Sequence, residues 1–389
     1  MQRRLCQPPV QGSGPWHKGL YSMPALALCF GPSVRFASFG DSPPDWKGSG
    51  IVDAEGGKLA GWPILVTEQK KKNLRKLVLP AQAAVSIALL AWLFSAPDFR
   101  GSLSSVLLSA DPRWLLGGLL LAGVVQILCL MRWRIFLRMA GIEIGFAESA
   151  SIFYAGLFCN LFLPGGAGGD VIKIGLLAAA GKDAGRSAVS VLMDRLCGSV
   201  SMILLGSLLM SWQFEWLSNS PVVAGLVHAV AIYLSVVSAL IVLSVVLSSR
   251  GIVERLPARW PGRKRLLELT GVYFQCAVQW PRTLRALGIS MVMLALFFLT
   301  YYFSSRAYGV ELQATKFLAL MPTVDIISGL PVSLGGVGVR EGLFVLLLGN
   351  LAGVPGPLAV SISLGGYVMS AVWSLPGAFF WLVRKEKRP

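Results

Sequence analysis

Apolar residues come in long blocks along this chain. Blocks at about 77–96, 114–131, 187–211, 222–248, 286–305 and 358–383 each hold roughly 20 residues, the length an α-helix needs to cross about 30 Å of hydrocarbon. They predict six full transmembrane helices. Two further stretches, about 144–184 and 313–354, are equally apolar but are broken by glycine clusters: LPGGAGGDVIK from Leu163 to Lys173, and LPVSLGGVGVREG from Leu330 to Gly342. Each stretch predicts a re-entrant hairpin or, alternatively, a pair of short crossing helices. Either choice leaves the direction of the flanking spans unchanged.

Basic residues orient the spans. With the run at 70–76 inside, RWRIFLR (Arg132 to Arg138), the 250–285 segment and the RKEKR tail also fall inside, while QFEWLSNS from Gln213, which has no Lys or Arg, falls outside. The first hairpin then enters from the cytoplasmic side and the second from the opposite side, each between spans of reversed direction. The expected fold is an all-α integral membrane protein with six full transmembrane helices plus two re-entrant hairpins in an inverted repeat, multi-pass in the cell inner (plasma) membrane.

Composition agrees: 54% of residues are hydrophobic and 14% charged, and the mean hydropathy is +0.66. In 389 residues these spans leave no room for a large soluble catalytic domain. The net charge of +16 would point to nucleic acid in a soluble protein; here positive-inside topology accounts for it, and no nucleic-acid partner is expected. Between Arg250 and Arg285 eight Arg and Lys face only Glu254 and Glu268, with Trp260 and Trp280 interleaved. This fits an interfacial segment on anionic lipid or a solvated loop. Residues 1–70, rich in Pro, Gly and Ser and without a period, are expected to be a disordered extension lacking a signal peptide. TEQKKKNLRK from Thr67 looks like the basic start of a membrane protein, so Val66 is a candidate initiator and 71–389 the polytopic membrane domain.

Cys6, Cys29, Cys129, Cys159, Cys197 and Cys276 show no C-x-x-C spacing and read as small buried residues. His17 and His228 have no carboxylate or cysteine cluster beside them, so no metal or other cofactor is expected.

The chemistry concentrates at the glycine clusters. An ionised group or free backbone in lipid costs several kcal/mol, so such segments persist only where protein or a wet cavity shelters them. Pro164, Gly165, Gly166, Gly168 and Gly169 allow a sharp turn with a helix restarting at Asp170; Gly335, Gly336 and Gly338 do the same ahead of Arg340 and Glu341. A helix N-terminus inside the membrane carries about half a positive charge and free N–H donors, which suit a phosphate. Alternatively the glycines serve close helix packing. Asp170 and Lys173, one turn apart, form a local ion pair or contact a ligand. Arg340 and Glu341, as neighbours, need separate partners, and Arg340 is the best phosphate contact. Asp194 and Arg195 are expected to tie their span to the first hairpin. Asp325, deep in the second hairpin, reads as an N-cap or hairpin-stabilising residue more than a proton-coupling one, and Glu148 as interfacial. Neither cluster has the context of a dinucleotide-binding loop.

Asn160, LPGGAGGD, Lys173, the Asp194-Arg195 pair and SLGGVGVREG, in this order over about residues 72–385, resemble the membrane domain of the lysylphosphatidylglycerol synthase/flippase family. Lys173 and Asp194 stand where that pattern leads one to expect Arg and Glu. The resemblance implies movement of charged or glycosylated lipids between leaflets. It does not extend to lipid lysylation, which in relatives belongs to a cytosolic aminoacyl-transferase domain. The candidate lipid-binding set is Asn160, Gly165, Gly166, Gly168, Gly169, Asp170, Lys173, Asp194, Arg195, Gly335, Gly336, Gly338, Arg340 and Glu341. The leading expectation is therefore a non-enzymatic lipid transporter of the flippase type, partnered by anionic or otherwise charged membrane lipids. A membrane enzyme acting on a lipid-linked substrate and an ion-coupled small-solute transporter are the alternatives. No P-loop is present, so transport is expected to be passive or gradient-driven unless a partner supplies energy.

Overall fold

The computed structural model describes residues 87–88, 109–160, 168–250, 252–255, 257, 263–330 and 332–380. Among them the chain is helical throughout. The helices named below are α1 (Pro112–Met139), α2 (Phe146–Asn160), α3 (Gly168–Ala179), α4 (Ala184–Trp212), α5 (Pro221–Ser249), α6 (Arg263–Val278), α7 (Trp280–Ala307), α8 (Ala314–Ser328), α9 (Val339–Ala352) and α10 (Gly356–Val372). Among the described residues five helices are long and apolar enough to cross a membrane: α1, α4, α5, α7, and α10 with its continuation to Phe380. The expected first span, about 77–96, lies outside the described residues except for positions 87 and 88, as do the 1–70 extension and the RKEKR tail.

The sequence dictates where these helices start. Asp111 Oδ1 accepts the Arg113 N–H at 2.8 Å, with Pro112 in the first turn of α1, and Asp183 Oδ1 accepts the Arg186 N–H at 2.7 Å ahead of α4. Between the long helices the two glycine-broken stretches fold as hairpins of short helices, α2 with α3 and α8 with α9. At 15, 12, 15 and 14 residues these reach only about 18–22 Å, short of a hydrocarbon layer of about 30 Å.

The order span, hairpin, span thus occurs twice: α1, α2/α3, α4 and then α7, α8/α9, α10. The leading helices of the two units run antiparallel. Asp111 N–H, at the start of α1, donates to the Ala307 carbonyl at the end of α7 at 2.8 Å, while Gln279 Nε2, just before α7, donates to the Met139 carbonyl at the end of α1 at 3.3 Å. Trp114 meets Phe303 edge to face at 5.2 Å between these ends. Antiparallel leading helices are what an inverted repeat requires.

α10 closes against α1 and α7 through small residues: a Cβ at Gly123 would overlap the Trp373 ring and one at Gly366 the Tyr301 ring. Trp373 Nε1 also donates to the Leu119 carbonyl at 2.8 Å. The largest core joins α4, α5, α7, α8, α9 and α10 around Phe298, Phe317 and Phe344. α5 keeps Ile232, Val236, Leu240 and Leu243 exposed, as a lipid-facing helix does.

One feature departs from the sequence reading. α1 continues through RWRIFLR instead of ending before it, because the Arg132 side chain is neutralised inside the bundle, as described below. The basic 250–285 segment holds the 16-residue helix α6, packed on α5 through Thr270 Oγ1 to Ser248 Oγ at 2.9 Å and Ser244 Oγ to Tyr273 Oη at 2.7 Å.

Candidate functional site

In the first hairpin α2 and α3 touch at glycines. A Cβ on Gly169 would run into the Gly156 carbonyl oxygen and the Asn160 amide, and one on Gly156 would come within 2.9 Å of the Gly169 carbonyl oxygen. The close approach lets Asn160, at the end of α2, accept the Gly169 N–H at 2.6 Å, so a side chain of the same hairpin occupies one of the first donors of α3. Gly165 and Gly166 lie outside the described residues.

Charges in this half satisfy one another. Asp170 accepts Arg195 Nε at 2.6 Å and lies 3.8 Å from Lys173 Nζ. Lys173 is 8% exposed and rests 4.8 Å from the centre of the Phe153 ring and 5.2 Å from that of Trp133, a cation–π setting. Arg195 thereby ties α4 to the first hairpin. Asp194 does not join it: its carboxylate takes Arg132 of α1 in a two-point contact, at 2.8 and 3.1 Å, and Arg132 Nη1 donates to Ser290 Oγ of α7 at 2.7 Å. One guanidinium therefore holds three helices together.

The second hairpin differs. Its loop turns through Gly335, Gly336 and Gly338, with φ of 61°, 79° and 86°, the left-handed region that glycine alone enters without strain. At Gly336 a Cβ would also come within 2.9 Å of the Ser328 carbonyl oxygen and 3.1 Å of Arg340 Nη2. Glu341, 2% exposed, reaches back to accept the Gly338 N–H at 2.6 Å and accepts Ser363 Oγ of α10 at 3.0 Å. It caps α9 and fastens it to α10.

Arg340, in the first turn of α9, is half-buried. Its Nη2 donates to the Gly335 carbonyl at 2.9 Å, and its guanidinium carbon sits 4.6 Å from the centre of the Tyr367 ring. Its Nη1 is buried without a hydrogen-bond partner, and so is Ser333 Oγ in the same loop. Asp325, in the last turn of α8, is close enough to interact electrostatically with Arg340, yet among the described residues the two form no ion pair. Asp325 is thus not a helix cap. Among the described residues no cluster of three or more His, Cys, Asp or Glu that could hold a metal occurs. At one end of α1 and α7, where α2 begins, a 630 Å³ cavity is lined by Arg138, Glu143, Ile144, Gly145 and Arg282.

Of the candidate residues, the first hairpin groups Asn160, Gly168, Gly169, Asp170, Lys173 and Arg195; the second groups Gly335, Gly336, Gly338, Arg340 and Glu341; and Asp194 stands apart with Arg132. Sequence reading missed Arg132, Ser290, Ser363 and Tyr367. Asp194 inside an apolar span demanded a cation, and Arg132 was the signal available.

Long apolar helices around two hairpins of short ones, with charges held between them, define a polytopic α-helical membrane protein. Residues 81–377 match the family described as the lysylphosphatidylglycerol synthase TM region, and the chain belongs to that family. It is also similar to a UPF0104 membrane protein of Methanothermobacter thermautotrophicus, at 24% identity over 341 residues, which cover 80% of this chain and 95% of that protein.

Proposed function

We propose that the protein moves lipids with a charged or glycosylated head group between the leaflets of the cell's inner membrane, without chemical change to the lipid. The hairpins enter the bilayer from opposite faces, and the head group passes along the polar path between them while the acyl chains stay in lipid. The observation that carries this reading is the state of Arg340. Among the described residues, every other charge of the candidate lipid-binding set has a protein partner, whereas Arg340 keeps a buried N–H donor open beside the start of α9, where the helix dipole favours an anion.

A phosphate is the anion that membrane lipids carry most often in their head groups, and a guanidinium binds it through paired donors. The basic cavity lined by Arg138 and Arg282 would gather such head groups at the cytoplasmic end.

The test is movement of a fluorescent phosphatidylglycerol in proteoliposomes. Arg340→Gln removes a charge-assisted contact of about 1.5–3 kcal/mol, so the rate is expected to fall about tenfold or more with expression unchanged. Arg340→Lys should recover part of it, since an ammonium keeps the charge without the planar fork. A well-folded Arg340→Gln protein that moves lipid at the wild-type rate overturns the assignment of Arg340, and no movement by the wild type overturns the transport reading.

A further inference from the structure

Asp325 is an ionisable group of the second hairpin that has no direct partner among the described residues. Among the described residues its carboxylate makes no hydrogen bond and no ion pair. It lies in the last turn of α8 (Ala314–Ser328), where the helix dipole is negative and a fixed carboxylate is disfavoured. The nearest cation is Arg340: a Cβ at Gly336 would lie 2.9 Å from the Ser328 carbonyl oxygen, at the end of α8, and 3.1 Å from Arg340 Nη2, which sets the guanidinium against the last turn of α8 without an ion pair to Asp325.

Among the described residues the elements packed on α8 bring no second cation to it. α9 offers Arg340 and Glu341, the latter engaged with Gly338 and Ser363; α7 offers Tyr301 and α10 Tyr367, both in the same electrostatic neighbourhood. On α4, Asp194 and Arg195 are paired with Arg132 and Asp170. On α5, His228 shares a 2.6 Å hydrogen bond with the Ala224 carbonyl.

This arrangement has a direct electrostatic consequence. A phosphate arriving at Arg340 neutralises the charge that Asp325 depends on and brings a second negative charge beside it. The cheapest relief in a poorly hydrated site is a proton on Asp325. Building on Arg340 as the phosphate contact, we infer that Asp325 is a proton-binding site linked to the anion site, so that each phosphate group bound at Arg340 is accompanied by one proton taken from water. When the phosphate leaves, the carboxylic acid returns that proton to water and Asp325 again faces Arg340 as a carboxylate. The pair entering or leaving is one anionic phosphodiester and one proton, neutral in sum, which lets a proton gradient drive the lipid in one direction. Linkage is reciprocal: the proton must favour phosphate as much as phosphate favours the proton.

The experiment uses the full chain in mild detergent with two probes, short-chain phosphatidylglycerol and its deacylated head group. Both are phosphodiesters whose own charge does not change over the range used. Affinity is measured from about pH 5 to about pH 8 together with proton uptake in weak buffer. Wild-type protein is expected to bind phosphatidylglycerol up to about tenfold more weakly for each pH unit above the titration of Asp325, and to take up one proton per lipid. Asp325→Asn should bind with a flat pH profile and no uptake.

A flat wild-type profile, or a pH dependence that survives in Asp325→Asn, overturns the linkage. Should Asp325→Asn fail to fold, the wild-type proton count decides alone. If Arg340→Gln binds as the wild type does, with proton uptake intact, the Arg340 reading fails instead. Equal binding of the head group without acyl chains, with its proton, supports the linkage and overturns the lipid as cargo.

Discussion

At the scale of single residues the distinction that matters is between charges the fold has paired and those it has not. Arg132 is 7% exposed, and among the described residues its only anionic contact is Asp194, in the two-point geometry that guanidinium and carboxylate prefer. Replacing Asp194 by Asn leaves an uncompensated buried cation, a loss of about 3–5 kcal/mol, and is expected to lower the midpoint of thermal unfolding in detergent sharply. Replacing Arg132 by Met and Asp194 by Leu together should recover most of that loss, because a buried ion pair gains little over well-packed apolar groups. If the double variant is as unstable as the single one, the contact contributes more than charge compensation. The pairing was only half legible in the sequence. Asp194 inside an apolar span announced that a partner existed and was expected to tie its span to the first hairpin, but which cation faces it depends on the rotation of two helices whose paired residues are 62 apart in sequence.

At the scale of elements, glycine makes the hairpins, for two separable reasons. In the second hairpin it supplies backbone angles; in the first it removes side-chain atoms, so that α2 and α3 touch at Gly156 and Gly169. Gly169→Ala should therefore destabilise the protein, since the new methyl meets a carbonyl oxygen and the Asn160 amide. Gly175→Ala, on the same helix with nothing within 4 Å, should be neutral or stabilising by up to about 1 kcal/mol. Thermal unfolding of the two variants side by side checks this, and equal effects would remove the packing argument. Both hairpins could be read in the chain because a glycine cluster in a long apolar block has few other uses. Helix α6 was not decided by the sequence: its basic residues fit an interfacial segment as well as a solvated loop until α5 supplies Ser244 and Ser248 to hold it. Nor was the in-helix course of RWRIFLR, whose charges become tolerable only once the bundle is assembled.

At the scale of the molecule, the antiparallel seating of α1 on α7 places the α6 end of α7 at the same face as the Met139 end of α1, and the Phe214 turn at the other. With positive residues inside, a reporter fused at Arg263 is expected to be cytoplasmic and one at Phe214 external; external labelling at Arg263 in intact cells would refute the opposed orientation of the hairpins. The Arg132 contact adds a mechanical consequence. α1 and α7 are pinned together near both ends, while α4 joins them at Asp194, close to where Arg195 grips the first hairpin. From there α4 runs 12 residues on to Gly206, which lies against Pro322 of α8, a distance of about 18 Å along the helix axis. α4 thus spans the two hairpins like a lever, held by the Asp170–Arg195 contact at one and packed on Pro322 at the other. A tilt of about 10° would leave Asp170 and Lys173 in place and carry the Pro322 contact sideways by about 3 Å. The hairpin that holds Asp325 and Arg340 is the one such a lever would move.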